Sequence, residues 1–131
     1  MMSADWLDAN RFVEFGAWLG PMQKLKRTLK IGRRVPGVYV FVVKGKIVYI
    51  GMATHLRGRV RNYNRYRQSN EKRLHRGAHS GLLTTLSKPG ATVKVFVCRT
   101  NTVAKARECE TRWIKKFDPK WNKAGRDLGA N

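Results

Sequence analysis

Carboxylates are scarce in this chain. Eight Asp and Glu stand against 28 Lys and Arg over 131 residues, leaving a formal charge of +20. Such an excess repels itself, and a folded domain tolerates it best beside a polyanion. Nucleic acid is the natural candidate, because each neutralised phosphate releases condensed counterions. Cysteine is almost missing too. Cys98 and Cys109 are too few and too unpatterned for a disulfide framework or a cysteine zinc site. They read as reduced thiols of an intracellular, cytoplasmic protein, nucleoid-associated in a bacterial cell. No apolar run approaches the roughly 18 residues that span a bilayer, and the N-terminus lacks a charged-then-apolar signal pattern. A membrane is therefore the weaker candidate partner. Repeats and low-complexity segments are also missing.

What remains fits one domain with an ordinary apolar fraction of 42%. Phe12, Phe15, Trp18 and Leu19 predict a short helix over 8–19, ended by Gly20-Pro21. The stretch 22–34 sets Lys24, Lys26, Arg27, Lys30, Arg33 and Arg34 around Leu25 and Leu29, as a basic amphipathic helix or a charged connector. Residues 1–34 thus read as a basic helical extension. After Pro36-Gly37, the β-branched and aromatic runs 38–43 and 46–50 predict a hairpin about Lys44-Gly45. A two-residue turn would pair Val43 with Lys46 and leave Tyr39 and Tyr49 on opposite faces. A three-residue loop with Gly45 left-handed would pair Val42 with Lys46 and place Tyr39 across from Tyr49. The second register is expected, since it lets both phenols serve one site.

Helices are predicted from a Thr54 cap to about Arg67, over 71–86, and from a Thr102 cap to Phe117, where Asp118-Pro119 closes the last. A third strand is predicted over 92–99. In the last helix Glu110 falls among Val103, Ala106, Trp113, Ile114 and Phe117, within the apolar stripe. A carboxylate so placed needs a cation, either a divalent metal or an arginine. Arg59 and Tyr63, four apart, share a helix face beside Leu56 and Val60. Around them Arg57, Arg61, Arg65, Arg67, Lys72, Arg73 and Arg76 form the densest basic stretch, suited to clamping phosphates. His75 and His79 are one helical turn apart, but no third ligand accompanies them for zinc. Contact with a phosphate is the better use.

With these residues in order, the sequence resembles the GIY-YIG nuclease family. Gly37-Val38-Tyr39 and Tyr49-Ile50-Gly51 match the two halves of its signature, in a setting most like the UvrC branch. Arg59 lies ten positions beyond Tyr49, and Tyr63 four further. Glu110, Ile114, Pro119 and Asn122 match the spacing of the family's metal-binding segment. The resemblance covers 35–122 and leaves 123–131 as a loose tail. Met52 departs from it, standing where UvrC-like sites carry a lysine. The implied fold is α/β: a three-stranded antiparallel sheet flanked by helices, here with a helical arm and an inserted helix. The implied activity is a metal-dependent endonuclease. One Mg²⁺ or Mn²⁺ would sit on Glu110, Arg59 on the phosphate, Tyr39 as base and Tyr49 as an orienting group. Tyr63 and Asn122 would hold the site together. DNA is the expected polymer, with RNA left open. Cutting both strands would need two protomers or two encounters. The alternative is a non-catalytic nucleic-acid binder on the same scaffold.

Overall fold

The computed structural model describes residues 3–21, 23–67 and 77–123, and for Ser3 and 65–67 the backbone alone. Among the described residues there are five strands where three are expected: β1 (Val13–Leu19), β2 (Lys26–Arg27), β3 (Gly37–Val43), β4 (Lys46–Ala53) and β5 (Thr92–Arg99). They form one antiparallel sheet in the order β2-β1-β5-β3-β4.

The hairpin β3–β4 positions the tyrosines. Lys44 and Gly45 at its turn have φ of 51° and 78°, the left-handed pair that a two-residue hairpin turn requires. Val43 accordingly pairs with Lys46, and the expected three-residue loop does not form. A bulge then corrects the parity. Val42 pairs with Ile47 but Phe41 with Tyr49, so Val48 is the extra residue. Tyr39 therefore faces Gly51 instead of Tyr49. Tyr49, two residues from Gly51, lies on the same face as Tyr39.

The two added strands come from the segment expected to be helical. A short helix α1 (Ser3–Ala9) precedes β1, which pairs along β5. The helical reading of 8–19 fails because of a second bulge. The register shifts between Glu14 and Gly16, so Phe15 and Trp18, an odd number apart, are both buried in one cluster. That spacing imitates a helix. The basic stretch after it holds only the two-residue edge strand β2. Leu25 and Leu29 rest on the core, and the Leu25 N–H donates to Asn64 Oδ1 at 3.1 Å.

Each face of the sheet carries its own core. On one, Tyr39, Phe41 and Val95 pack under Leu56, Val60 and Tyr63 of α2 (Leu56–Arg67) and under Leu82 and Leu86 of α3 (Gly77–Leu86). On the other, Val38, Val40 and Ile50 meet Leu7 of α1 and Ala106, Cys109 and Trp113 of α4 (Val103–Phe117). Cys98 and Cys109 are free thiols buried there. Thr102 caps α4 by accepting from the Lys105 N–H at 3.0 Å, and Asp118 ends it in the left-handed region. α2 starts at Leu56, later than a Thr54 cap implies, with the His55 carbonyl accepting from the Arg59 N–H at 3.0 Å. The stretch 68–76, where a helix from 71 is expected, lies outside the described residues. Among the described residues no helix is long and apolar enough to cross a membrane.

Candidate active site

The site begins at Gly51. A Cβ there would stand 2.5 Å from Tyr39 Cζ, 2.6 Å from its hydroxyl and 2.9 Å from Tyr49 Cε2. Glycine leaves the space in which the two rings lie, their centroids 6.0 Å apart. α2 lowers Tyr63 onto them, its hydroxyl 2.7 Å from that of Tyr39. The Tyr49 phenol also acts on the Tyr63 hydroxyl and helps to keep it protonated. Three phenols thus form a chain that runs from the core to the half-buried Tyr49. Beyond Tyr63, the His79 ring of α3 packs against it at 4.6 Å between centroids.

Tyr39 and Tyr63 are 2% and 4% exposed. Burial holds both hydroxyls protonated well above the ordinary phenol range, and the neighbouring phenols reinforce this. Arg59 pulls the other way without overcoming burial.

Arg59 is exposed one turn before Tyr63 on α2. Its charge acts on Tyr39, on Tyr63 and also on Glu110. β4 is the edge of the sheet. α2 and α4 pack on opposite faces of the sheet, and each contacts β4. Glu110 is half-buried at the border of the stripe Ala106, Cys109 and Trp113, not in its middle as expected. Burial raises its pKa, while a hydrogen bond from the Met52 backbone, then Arg107, then Arg59 oppose the rise. Neither Arg107 nor the Met52 N–H is singled out by sequence reasoning. Arg107 could have been found by its place three residues before Glu110.

Asn122 grips the outer edge of β4. Its Oδ1 accepts from the Ile50 N–H and its Nδ2 donates to the Ile50 carbonyl, each at 2.9 Å. It fixes the strand between Tyr49 and Gly51. Of the expected phosphate-binding residues, Arg57 and Arg61 lie across α2 from Arg59, and Lys24, Lys26 and Arg27 are exposed on the N-terminal segment. Arg73, His75 and Arg76, with the side chains of Arg65 and Arg67, fall outside the described residues.

No three His, Cys, Asp or Glu side chains among the described residues converge to hold a metal. A closed, all-protein cage is therefore not formed there. One under-compensated carboxylate facing solvent still suits Mg²⁺, which keeps several waters and is usually held by one or two carboxylates plus substrate phosphate. The donor set fits the cation.

The sequence profile of the UvrC-like GIY-YIG domain matches residues 35–123. The chain belongs to the GIY-YIG family. It is 36% identical over 93 residues to UvrABC system protein C of Mycolicibacterium paratuberculosis, covering 70% of this chain and 13% of that protein. A 34% match to the Mycobacterium marinum protein has the same extent. The chain thus spans about 13% of the length of the curated relatives it matches. Among solved structures, a point mutant of bacteriophage T4 EndoII superposes with a TM-score of 0.69 at 20% identity, covering 92% of this chain and 98% of that one. The GIY-YIG N-terminal endonuclease domain of Thermotoga maritima UvrC, bound to its catalytic magnesium, gives 0.50 at 24%, covering 70% and 86%. At these identities the superpositions establish the GIY-YIG fold.

Proposed function

We propose that this GIY-YIG domain is an endonuclease that hydrolyses DNA phosphodiester bonds with a divalent metal, Mg²⁺ or Mn²⁺, through one active site. The observation that carries the reading is the convergence on two consecutive β4 residues: Gly51 leaves the space for the Tyr39 and Tyr49 rings, and the backbone of Met52 meets Glu110, with the Arg59 charge acting on both sides. A cation at Glu110 would supply Lewis acidity, drawing charge from the phosphoryl group and from the leaving 3′-oxygen. Arg59 binds non-bridging oxygens bidentately as their charge grows.

The attacking water loses its proton to Tyr49 Oη, not to Tyr39 as the family resemblance suggests. Tyr39 is closed in beneath Gly51 and Tyr63, whereas Tyr49 is the end of the chain nearest solvent. A phenol near pKa 10 is a weak base at neutral pH. Tyr49 Oη takes the proton while the water oxygen bonds phosphorus and the P–O3′ bond breaks, and the leaving 3′-oxygen takes a proton from solvent. The products are a 5′-phosphate and a 3′-hydroxyl. Asn122 keeps Tyr49 in place through Ile50.

Supercoiled plasmid and structured RNA, each incubated with Mg²⁺ and with EDTA, test this reading. Nicking of the plasmid in Mg²⁺ alone is expected. Binding of either polymer without cleavage in any metal would leave only the non-catalytic binder. Tyr49→Phe should lower kcat by about 10²-fold or more and Tyr39→Phe by less. The reverse order would restore Tyr39 as the base.

A further inference from the structure

A second basic surface lies across α2 from Arg59. The Arg33–Arg34 turn and the first turns of α2 enclose an open groove of about 270 Å³, lined by Arg33, Arg34, His55, Arg57, Gly58 and Arg61. At about 100° per residue, Arg57 and Arg61 project from the flank opposite Arg59, a helix width of roughly 10–12 Å away. The groove is therefore not part of the phenol–carboxylate site.

Three observations point to an anion in it. First, four arginines and no carboxylate line it, and the sequence has no Asp or Glu between Glu14 and Glu71. Second, the backbone ties the two walls of the groove together: the Leu56 N–H that opens α2 donates to the Val35 carbonyl at 2.9 Å, beside the turn. Third, Gly58 has no structural cause. A Cβ there would meet nothing within 4 Å, and its φ is not among the positive ones. Glycine is among the poorest helix formers, yet neither packing nor a turn requires it. Bare backbone in the floor of a cationic groove lets a ligand come close.

We propose that this groove is a second phosphate site, which holds a backbone phosphate of the substrate on the far side of α2 from the scissile one. Resting on the nuclease reading, it makes α2 a ridge gripped by the substrate on both flanks. Arg33 and Arg34 thereby gain a role that the family signature does not give them.

The test uses the full chain, a short labelled duplex in EDTA, and a salt series read by fluorescence anisotropy. Arg33→Ala/Arg34→Ala should reduce the slope of log K against log salt by about 0.9, the value for one phosphate no longer neutralised. In Mg²⁺ it should raise KM several-fold with kcat within twofold. Gly58→Ala should raise Tm by about 2–6 °C through helix propensity while weakening duplex binding several-fold. An unchanged slope in the double variant, or a Gly58→Ala protein that is more stable and binds equally well, overturns the proposal. Inorganic phosphate, followed by the His55 NMR resonances, separates the sources. A shift abolished in the double variant, with duplex affinity and slope unaltered, would mark a free-phosphate site and also overturn it. Loss of slope in a protein that cuts nothing leaves the groove standing and removes the nuclease. Cleavage with the slope unchanged does the opposite.

Discussion

Tyr39 and Tyr63 meet hydroxyl to hydroxyl at 2.7 Å in an almost dry setting, and that fixes how they respond to pH. Their folded pKa values lie above the unfolded phenol value near 10. Stability from the neutral pair is present below pH 10 and lost as pH rises beyond it, because the unfolded chain releases these protons first. In a spectrophotometric titration at 295 nm, Tyr39→Phe should leave the native signal near pH 10 unchanged. A loss of one phenol's amplitude there would contradict the buried pair. Glu110 shows the same sign at the acid end. Burial raises its pKa, so without metal its contribution to stability is fully present below the ordinary carboxylate value and falls as pH rises through the folded one. Glu110→Gln should therefore melt no lower than wild type at neutral pH in EDTA. It should also lack the rise in Tm that Mg²⁺ gives wild type through binding the folded state. An equal rise in both proteins would place the metal elsewhere.

At the scale of elements, β4 positions the chemistry and its neighbours pin it. Asn122→Ala removes two hydrogen bonds from Ile50, which should cost about 1–3 kcal/mol and speed amide exchange at Ile50. Unchanged exchange would mean that Asn122 does not hold the edge. Gly51→Ala drives a methyl into Tyr39 and should destabilise by about 1–3 kcal/mol, with cleavage falling alongside. The same strands show what could be read in advance. The hairpin, α4 with its Thr102 cap, and the Arg59–Tyr63 helix follow from β-branched runs and helical spacing. Two bulges broke the remaining patterns. The one at Val48 restored the common face of the tyrosines by a route the loop count does not contain. The one at Phe15 gave β1 the spacing of a helix and so hid it, while β2 is two residues long and too short to show a pattern. A bulge is a single unpaired residue, with no periodicity of its own to reveal it. The Met52 N–H and the stacking of His79 on Tyr63 leave no mark in the sequence, because they depend on how the helices dock on the sheet and on each other.

At the scale of the whole molecule, the +20 charge and the single internal carboxylate of α4 divide the work. Charge gathers the polyanion, and Glu110 confines chemistry to one edge of the sheet. The two are separable, since Lys26 and Arg27 lie on β2, the sheet edge opposite β4, while Glu110 has Arg107 and Arg59 acting on it. Affinity for duplex DNA should fall steeply with salt in wild type and in a Glu110 variant alike. The most direct measurement puts wild type beside Glu110→Ala on supercoiled DNA, with cleavage followed in Mg²⁺ and binding in EDTA. The expected result is nicking by wild type, none detectable by Glu110→Ala, and binding curves that superimpose across the salt series. Cleavage by Glu110→Ala at the wild-type rate would contradict a metal-dependent nuclease centred on that carboxylate.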